Sequence, residues 1–408
     1  MGVRGRRRWA AVGVVAAGVL AVSGCSSSGG GGGGGSASSG AKGPIVIGAA
    51  IGQTGILKSY DGPAFAVVKY DIDQINAAGG INGRKVELKV LDTKSEITRG
   101  GQVAQQLIDD GAQVLIVSSD FDFGSPAALV AQKHGMVSIS LGAASPKFGV
   151  QGIGDKAFSF APSTGNTASV LATFAINQGY KKAFTLLDDT LSYTRGFYSA
   201  YTKFYKQGGG TIVGNDSFKN DDSSIATQIN KIKAANPDMV FLASYPPGGA
   251  SALRQIRAAG INVPIISGDP FDSPGWNSAV PNLSNFFIDA SAWTHGNDPD
   301  PAVNQYVAAL TKATGNRPTG GRDLVGDTIV QALKMAIEKT GTTNGAKLAA
   351  ALESFNKQKF LTGTVTLSHE DHIPLDSPLR VIQYINGKPT YFKTVTPVMT
   401  SAVTDGIG

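Results

Sequence analysis

From residue 45 onward, short apolar runs alternate with amphipathic segments. The runs "IVIGAAI" and "AQVLIVSS" are nearly continuous, which is typical of parallel strands buried on both faces. Between them, "DQINAAGGINGRKVELKVLDTKS" indicates a helix closed by glycines, an Asn-Gly turn and an alternating strand. The same rhythm restarts after Pro162. This alternation predicts parallel sheets connected by right-handed crossovers.

Ten helices follow from the spacing of apolar positions. They are predicted near 62–77, 96–110, 125–134, 167–178, 195–207, 224–235, 249–259, 301–314, 323–339 and 345–354. The last three have no strands between them and are expected to pack back onto the first lobe. A final hairpin, "LRVIQYINGKPTYFKTV", should turn at Asn386-Gly387. The fold class is therefore α/β, with two doubly wound parallel-sheet lobes.

Residues 1–24 have the pattern of a secretory signal peptide. A basic start, "RGRRRW", precedes an apolar run that is short for a membrane span. The segment ends in "VSGC", which resembles the bacterial lipobox, and Cys25 is the only cysteine. In a lipobox the cysteine is diacylated and becomes the new N-terminus. An ordinary signal peptide followed by an incidental thiol is the alternative.

Residues 25–43 are almost entirely glycine and serine, with no large side chains to bury. Such a segment is expected to be a flexible tether, with a root-mean-square reach of about 25 Å. The protein is therefore predicted to be lipid-anchored at the cell membrane, on its extracytoplasmic face.

The charge of the chain does not indicate a nucleic-acid partner. The formal net charge is +6, but the acid-free segment 1–24 carries four arginines, which leaves +2 on the remainder. No later stretch interleaves basic and aromatic residues as nucleic-acid binding requires.

No enzyme class is indicated by the motifs. The sequence lacks a P-loop, a G-x-S-x-G elbow and an H-E-x-x-H helix, so we expect neither catalysis nor a cofactor. His369 and His372 in "SHEDHIPLD" could hold a metal, but a loop before a strand is the preferred interpretation. His134 is expected at the end of its helix.

The predicted strand ends carry small residues, tyrosine and aspartate. In parallel sheets, ligands bind beyond the carboxyl ends of the strands. These ends are therefore expected to face a shared cleft, and their sequences are "SSDFDFGSP", "SLGAASP", "LLDDTLSYTRG", "ASYPPGGA" and "SGDPFDSP".

Several longer segments resemble periplasmic binding proteins of the leucine/isoleucine/valine type, the extracytoplasmic receptors of ABC importers. The resemblance runs from about Ile45 to about Phe392. It rests on the order and spacing of "AAIGQTGILKSYDGPAFAVVKYDID", "QQLIDDGAQVLIVSS", "GMVSISLGAASP", "DTLSYTRGF", "INKIKAANPDMVFLASYPPGGASALRQIRAAGI" and "FLTGTVTL".

The resemblance implies a periplasmic binding protein of type I, with two lobes joined by three crossover segments that close on a small solute. The crossovers are expected near 160–163, 290–293 and 360–365. They divide the chain into an N-terminal lobe, 44–162 plus 292–362, and a C-terminal lobe, 163–291 plus 363–400.

The resemblance also implies which residues contact the solute. An aromatic lid falls on Tyr60, and second-lobe tyrosines fall near Tyr193 and Tyr245. The ammonium-binding acid falls near Asp269. The small-residue loop that binds a carboxylate falls on Gly142, Ala143 and Ala144.

Two departures from that pattern bear on the solute. Phe121, between Asp120 and Asp122, replaces a serine, and Ala144 replaces a threonine. A charge-assisted hydrogen bond contributes about 1.5–3 kcal/mol, so losing two hydroxyls should weaken α-carboxylate binding. We expect weak or no binding of leucine, and a neutral or cationic, partly apolar solute.

Each of these residues has a structural alternative. Phe121 could be a core residue, and Asp120 and Asp122 could cap the following helix. Tyr193 and Tyr245 could lie at the rim, and Asp269 could belong to a turn.

The predicted function is that of a monomeric solute-binding lipoprotein that delivers a small polar or amino-acid-like molecule to an ABC permease and its ATPase subunits. A tethered sensor that signals to a membrane receptor is the alternative, and an amide, amine or aromatic solute is the alternative ligand. Neighbouring permease or kinase genes would separate import from sensing.

The lipobox leads to a direct test. Because two acyl chains are needed for stable anchoring, Cys25→Ala should move the protein from the membrane fraction to the soluble fraction of a bacterial host. Retention of this variant in the membrane would show that Cys25 is not the anchor.

Overall fold

Two β-sheets organise residues 43–397, the part of the chain that the computed structural model describes. The predicted signal peptide, Cys25 and nearly all of the tether lie outside the described residues. So do residues 398–408. None of the helices within 43–397 is both long and apolar enough to cross a membrane.

The first sheet is built from the N-terminal part of the described chain. Its elements are β1 (Ile45–Ile51), α1 (Lys58–Ala77), β2 (Val86–Asp92), α2 (Ile97–Asp109), β3 (Val114–Val117), α3 (Phe121–Lys133), β4 (Ser138–Ser140) and β5 (Ala157–Ser159). The strand order is β2-β1-β3-β4-β5, and every neighbouring pair is parallel.

Residues after the first sheet supply the second sheet, a short two-stranded sheet and seven more α-helices of the described chain. The elements are α4 (Thr164–Asn177), β6 (Lys182–Asp188), α5 (Ser192–Gln207), β7 (Thr211–Phe218), α6 (Ala226–Ala235), β8 (Met239–Ala243), α7 (Gly248–Ala258), β9 (Ile265–Ser267), β10 (Phe286–Ala290), α8 (Pro301–Thr314), α9 (Val325–Thr340), α10 (Gly345–Glu353), β11 (Gln358–Phe360), β12 (Gly363–Val365), β13 (Leu379–Ile385) and β14 (Lys388–Val395).

The second sheet has the order β14-β13-β10-β9-β8-β6-β7. Strands β6 to β10 are parallel to one another, and the hairpin β13–β14 adds an antiparallel edge. That hairpin turns at Asn386-Gly387, where both residues have positive φ, as the sequence predicts. The expected α/β fold with two parallel-sheet lobes is confirmed.

Strand order reverses at an equivalent point in both sheets. In the first sheet β1 lies between β2 and β3, and in the second sheet β6 lies between β7 and β8. Loops that leave two adjacent strands in opposite directions open a crevice at the carboxyl edge. Each sheet therefore offers one crevice.

The two faces of each sheet are covered by separate apolar cores. On the first sheet, Val68 of α1, Leu333 of α9 and Leu352 of α10 share one core, while α2 and α3 cover the other face. Tyr306 of α8 also contacts Tyr70 of α1 edge-on. All three late helices thus pack back onto the first lobe, as their sequence predicts.

The chain passes between the lobes three times. The first passage follows β5, and the second follows β10. The third lies later than the expected 360–365, because Phe360, Val365 and Leu367 all belong to the first core, and the second sheet resumes only at Leu379. The short strands β11 and β12 form a two-stranded sheet before that passage.

Helices α1 and α9 approach closely enough to exclude any side chain at Gly326. A Cβ there would lie 2.3 Å from the carbonyl oxygen of Ala64. This contact places the residues before α9 beside the first turns of α1, where Tyr60 lies.

The same interface buries two carboxyl groups. Asp71 of α1 is 4% exposed and Asp327 of α9 is 5% exposed. The Tyr306 hydroxyl donates to Asp71 Oδ1 at 2.8 Å. Burial, followed by the nearby charge of Asp327, raises the pKa of Asp71 well above its usual range.

The raised pKa predicts a pH dependence of stability. Unfolded Asp71 ionises above about pH 4, whereas the folded group stays protonated, so the free energy of unfolding should fall as pH rises above that value. Asp71→Asn keeps the shape without the charge. The variant should flatten this decline, and at pH 8 its free energy of unfolding should be higher by at least about 1 kcal/mol, the equivalent of one pKa unit. Urea unfolding between pH 4 and pH 8 measures this free energy.

The matched control for this experiment is Asp73→Asn, which changes an exposed carboxylate on the same helix. It should follow the parent protein at every pH. Parallel curves for Asp71→Asn and the parent protein would contradict the assignment.

Candidate ligand-binding cleft

A cavity of about 190 Å³ lies where the carboxyl edges of the two sheets meet. The loops after β1, β3 and β4 form one wall, and the loops after β6, β8 and β9 form the other. The lining residues are Ile56, Leu57, Tyr60, Ser119, Asp120, Phe121, Phe123, Gly142, Ala144, Ser145, Thr190, Leu191, Tyr193, Tyr245, Asp269, Pro270 and Arg322.

The first turns of α1 supply an aromatic part of the wall. Tyr60 is 7% exposed, and its hydroxyl donates to the Pro246 carbonyl at 3.3 Å, on the opposite side of the cleft. Burial raises the pKa of Tyr60 to about 12, so the hydroxyl remains a donor at physiological pH. Tyr60 therefore connects the two walls of the cavity, and its role as a lid over the solute stays a prediction.

The start of α3 brings an acid and two aromatic rings to the cavity. Asp120 caps the helix, since its Oδ1 accepts from the Asp122 N–H at 2.8 Å. Burial, and then the negative charge of Asp122, raise the pKa of Asp120 to about 7. Phe121 lines the cavity and also packs against the core between the sheet and α2–α3. Asp120 thus caps the helix and Phe121 packs against the core, and both residues still line the cavity.

The small-residue loop after β4 is held by serine hydroxyls. The Ala143 N–H donates to Ser140 Oγ at 2.8 Å, and its carbonyl accepts from Ser159 Oγ at 2.6 Å. Ala143 is consequently fully buried and does not line the cavity, while Gly142 and Ala144 do.

The second lobe contributes a tyrosine–aspartate pair. The Tyr193 hydroxyl donates to Asp269 Oδ1 at 3.4 Å, and its ring stacks on Phe197. Gly268 is required here, because a Cβ would lie 2.6 Å from the Tyr193 hydroxyl. Burial raises the pKa of Asp269, and the positive charge of Arg322 opposes that rise.

Arg322 is the residue of the cleft that the sequence did not reveal. It belongs to a short 3₁₀ turn, Gly321–Leu324, just before α9. Its guanidinium carbon lies 4.9 Å from the centre of the Tyr60 ring, and its Nε lies 4.0 Å from Asp269 Oδ2. Burial lowers the pKa of Arg322, but the neighbouring negative charges outweigh this and raise it overall, so the cation persists.

Hydrogen bonds cross the cleft beside the cavity. The Ser192 N–H donates to Asp122 Oδ2 at 3.0 Å, and the Gly321 N–H donates to Asp272 Oδ2 at 2.6 Å. Asp122 therefore joins the two walls instead of lining the cavity. Its helix starts at Phe121, four residues earlier than predicted, which directs its carboxylate towards Ser192.

Seven of the nine predicted contact residues line the cavity, namely Tyr60, Phe121, Gly142, Ala144, Tyr193, Tyr245 and Asp269. Asp122 and Ala143 do not line it. Neither tyrosine of the second lobe is exposed at a rim: Tyr245 is 6% exposed, and Tyr193 is partly buried. Solute contact by these residues remains a prediction.

Arg322 alters the argument about hydrogen-bond donors. The family resemblance indicates that hydroxyls are lost at Phe121 and Ala144. It does not indicate that Arg322 supplies a guanidinium with five N–H donors. The hydroxyl-bearing residues Ser119 and Ser145 also line the cavity. Loss of two hydroxyls therefore does not leave the cleft without donors for a carboxylate.

The histidines have structural contacts in the described chain. His372 contacts the Ala157 carbonyl at 2.9 Å and Glu353 at 3.1 Å, and its ring stacks on Phe158. His134 ends α3, as predicted. Within residues 43–397, no cluster of three or more His, Cys, Asp or Glu side chains could hold a metal ion.

Comparison with known proteins agrees with this architecture. A Leu/Ile/Val-binding protein homologue of Brucella melitensis is 25% identical over 333 residues, covering 81% of this chain and 89% of that protein. A substrate-binding protein of a branched-chain amino acid transporter from Streptococcus pneumoniae, solved in complex with isoleucine, superposes with a TM-score of 0.78 at 21% identity, covering 87% of this chain and all of that one.

A second solved structure has a different solute. A solute-binding protein of an ABC transporter from R. palustris, in complex with benzoate, superposes with a TM-score of 0.73 at 16% identity, covering 88% of this chain and 99% of that one. At these identities the two solved structures establish the fold alone. The sequence pattern that defines the periplasmic binding protein family matches residues 44–389, nearly the whole folded region, and the chain belongs to that family.

Proposed function

We propose that this protein is the extracytoplasmic solute-binding lipoprotein of an ABC importer. The cavity between the carboxyl edges of two sheets is the observation that carries the proposal. Its walls come from separate lobes, which is the arrangement a hinged clamp requires. Nothing in this role calls for catalysis.

The nature of the cavity supports a small, partly apolar solute. Its walls are mainly aromatic and aliphatic, and a few polar groups gather near Arg322 and Asp269. Such an arrangement buries an apolar body while fixing its orientation. Relatives that bind isoleucine or benzoate support the same size range.

Delivery and location complete the proposal. A lipid on Cys25 would hold the protein at the cell membrane, and the glycine-rich tether would let the clamp reach a permease with its ATPase subunits. A sensor would use the same clamp, so uptake by cells is the property that separates the two functions.

The function predicts a solute and its uptake. Small molecules released by denaturing the purified protein can be identified by mass spectrometry. Deletion of the gene in its host should then reduce uptake of the identified solute at low concentration. Unchanged uptake would contradict the importer role and favour sensing.

The clamp predicts a change of shape. Adding the co-purified solute to stripped, non-lipidated chain (residues 26–408) should reduce its radius of gyration in small-angle scattering. Asp122→Ala removes the acceptor for the Ser192 N–H, so it should weaken closure and require more solute for the same compaction. Asp221→Ala, an exposed acid in the second lobe, is the control. Identical scattering with and without solute would indicate a rigid body.

A further inference from the structure

The guanidinium of Arg322 lacks the hydrogen-bond acceptors that a buried cation normally has. The side chain is 13% exposed, and the nearest carboxylate oxygen lies 4.0 Å from Nε, beyond hydrogen-bond distance. No acceptor among residues 43–397 forms a hydrogen bond with its nitrogens. Burying a cation without hydrogen bonds is costly. The group is therefore placed for an acceptor that the protein itself does not provide.

The cavity is where such an acceptor would lie. Arg322 is one of the lining residues, and Asp269 and Ser119 line the cavity beside it. The guanidinium carbon of Arg322 lies over the Tyr60 ring, 4.9 Å from its centre. Attraction between a cation and a ring face involves no lone-pair acceptor, so the N–H groups of Arg322 stay available for hydrogen bonds.

The position of Arg322 is fixed by close backbone contacts. A Cβ at Gly321 would lie 2.0 Å from the Ala292 carbonyl oxygen, and a Cβ at Gly320 would lie 2.2 Å from that of Asp272. The Asp323 carboxylate accepts from the Thr319 N–H at 2.7 Å. A turn held this tightly presents a preorganised donor, which reduces the entropy lost on binding.

Gly142 has no side chain and so leaves room for the guanidinium of Arg322. A Cβ at this position would approach Arg322 Nη2 to 3.1 Å. The carboxylate loop that the family resemblance assigns to 142–144 and the arginine therefore meet at one place.

We propose that the solute is a small apolar monocarboxylate and that Arg322 binds its carboxylate. This inference rests on the proposed function of solute capture. Arg322 takes the role of the hydroxyls that Phe121 and Ala144 replace, with a paired geometry that suits a carboxylate. Asp269, which lies beside Arg322, and Asp120, which also lines the cavity, oppose a second negative charge on the solute.

Two sources share this chemistry: an α-amino acid and a simple organic acid. The α-ammonium group of an amino acid would pair with the carboxylates of Asp269 and Asp120. An organic acid has no such group, so Asp269 would keep only its hydrogen bond from Tyr193, and Asp120 would keep only its role as helix cap. Matched probes separate the sources, namely L-leucine against 4-methylpentanoate and L-phenylalanine against benzoate. Leucinamide and benzamide test the need for the carboxylate.

The experiment measures affinity by calorimetry with full-length protein in mild detergent. At least one carboxylate probe should bind, and its amide should bind at least about 10-fold more weakly. Arg322→Gln should weaken binding of the carboxylate probe about 10–100-fold, as expected for loss of a charge-assisted pair of hydrogen bonds. Arg322→Lys should recover part of the affinity. Arg317→Gln, which removes an exposed arginine from the same loop, should bind as the parent protein does.

Unfolding of each variant without solute establishes that its fold is intact. Binding of either member of a probe pair supports the proposal and identifies the source. Three results would overturn the proposal. They are equal affinity for an acid and its amide, failure of every carboxylate probe to bind, and unchanged binding by a folded Arg322→Gln variant. If the co-purified solute still compacts the parent protein in such a case, the importer function stands and the Arg322 assignment alone fails.

Discussion

The carboxylate of Asp61 holds the first lobe in the shape that the cleft requires. It is fully buried, and it accepts from the Gly52 N–H at 2.7 Å and the Ser119 N–H at 2.8 Å. These two groups belong to the loops that leave β1 and β3 in opposite directions. One side chain therefore fixes the width of the crevice. Its neighbours Tyr60 and Asp120, next to Asp61 and Ser119 in sequence, are placed on the wall as a consequence.

The second lobe meets the same constraint with the same chemistry. Asp188, at the end of β6, is fully buried and accepts from Thr190 Oγ1 at 2.6 Å, Asn220 Nδ2 at 2.6 Å and Ser244 Oγ at 2.7 Å. These partners lie on the loops after β6, β7 and β8. A buried carboxylate with several donors is stable when each loop supplies one. The solute-facing walls are thus supported from behind at both crevices.

The sheets were predictable from the sequence because long buried strands are continuous apolar runs. Strands β3 and β8 are buried along their whole length, and their runs identify them. The three-residue strands β5, β11 and β12 were missed, whereas β4 and β9, which are equally short, lie within longer apolar runs and were predicted. The five-residue strand β10 was also missed, although it is fully buried.

The helix starts at the cleft were predicted three or four residues too late. Leu57, Phe121 and Leu191 lie at or just before the first turns of α1, α3 and α5, and all three line the cavity. Their apolar side chains face the cavity. They therefore do not fall at the positions of the core-facing stripe, and the periodicity of that stripe does not assign them to the helix. These three errors therefore all lie beside the cavity.

Arg322 was hidden for a different reason. An arginine after two glycines, at the start of an apolar helix, has the pattern of an exposed helix terminus. Its burial comes from Tyr60, Gly142 and Asp269, which are 53 or more residues away in the chain. Local sequence carries no trace of contacts at that separation.

The absence of a side chain at Gly142 has a consequence for how this cleft can evolve. Because a Cβ there would lie 3.1 Å from Arg322 Nη2, a larger residue at 142 requires the guanidinium to shift by a few tenths of an ångström from its place beside the cavity. The two positions therefore constrain each other's substitutions. A lineage that exchanges Arg322 for a short side chain frees position 142 to acquire a hydroxyl. Homologues should divide into a glycine–arginine class and a class with neither, and few sequences should lie between them.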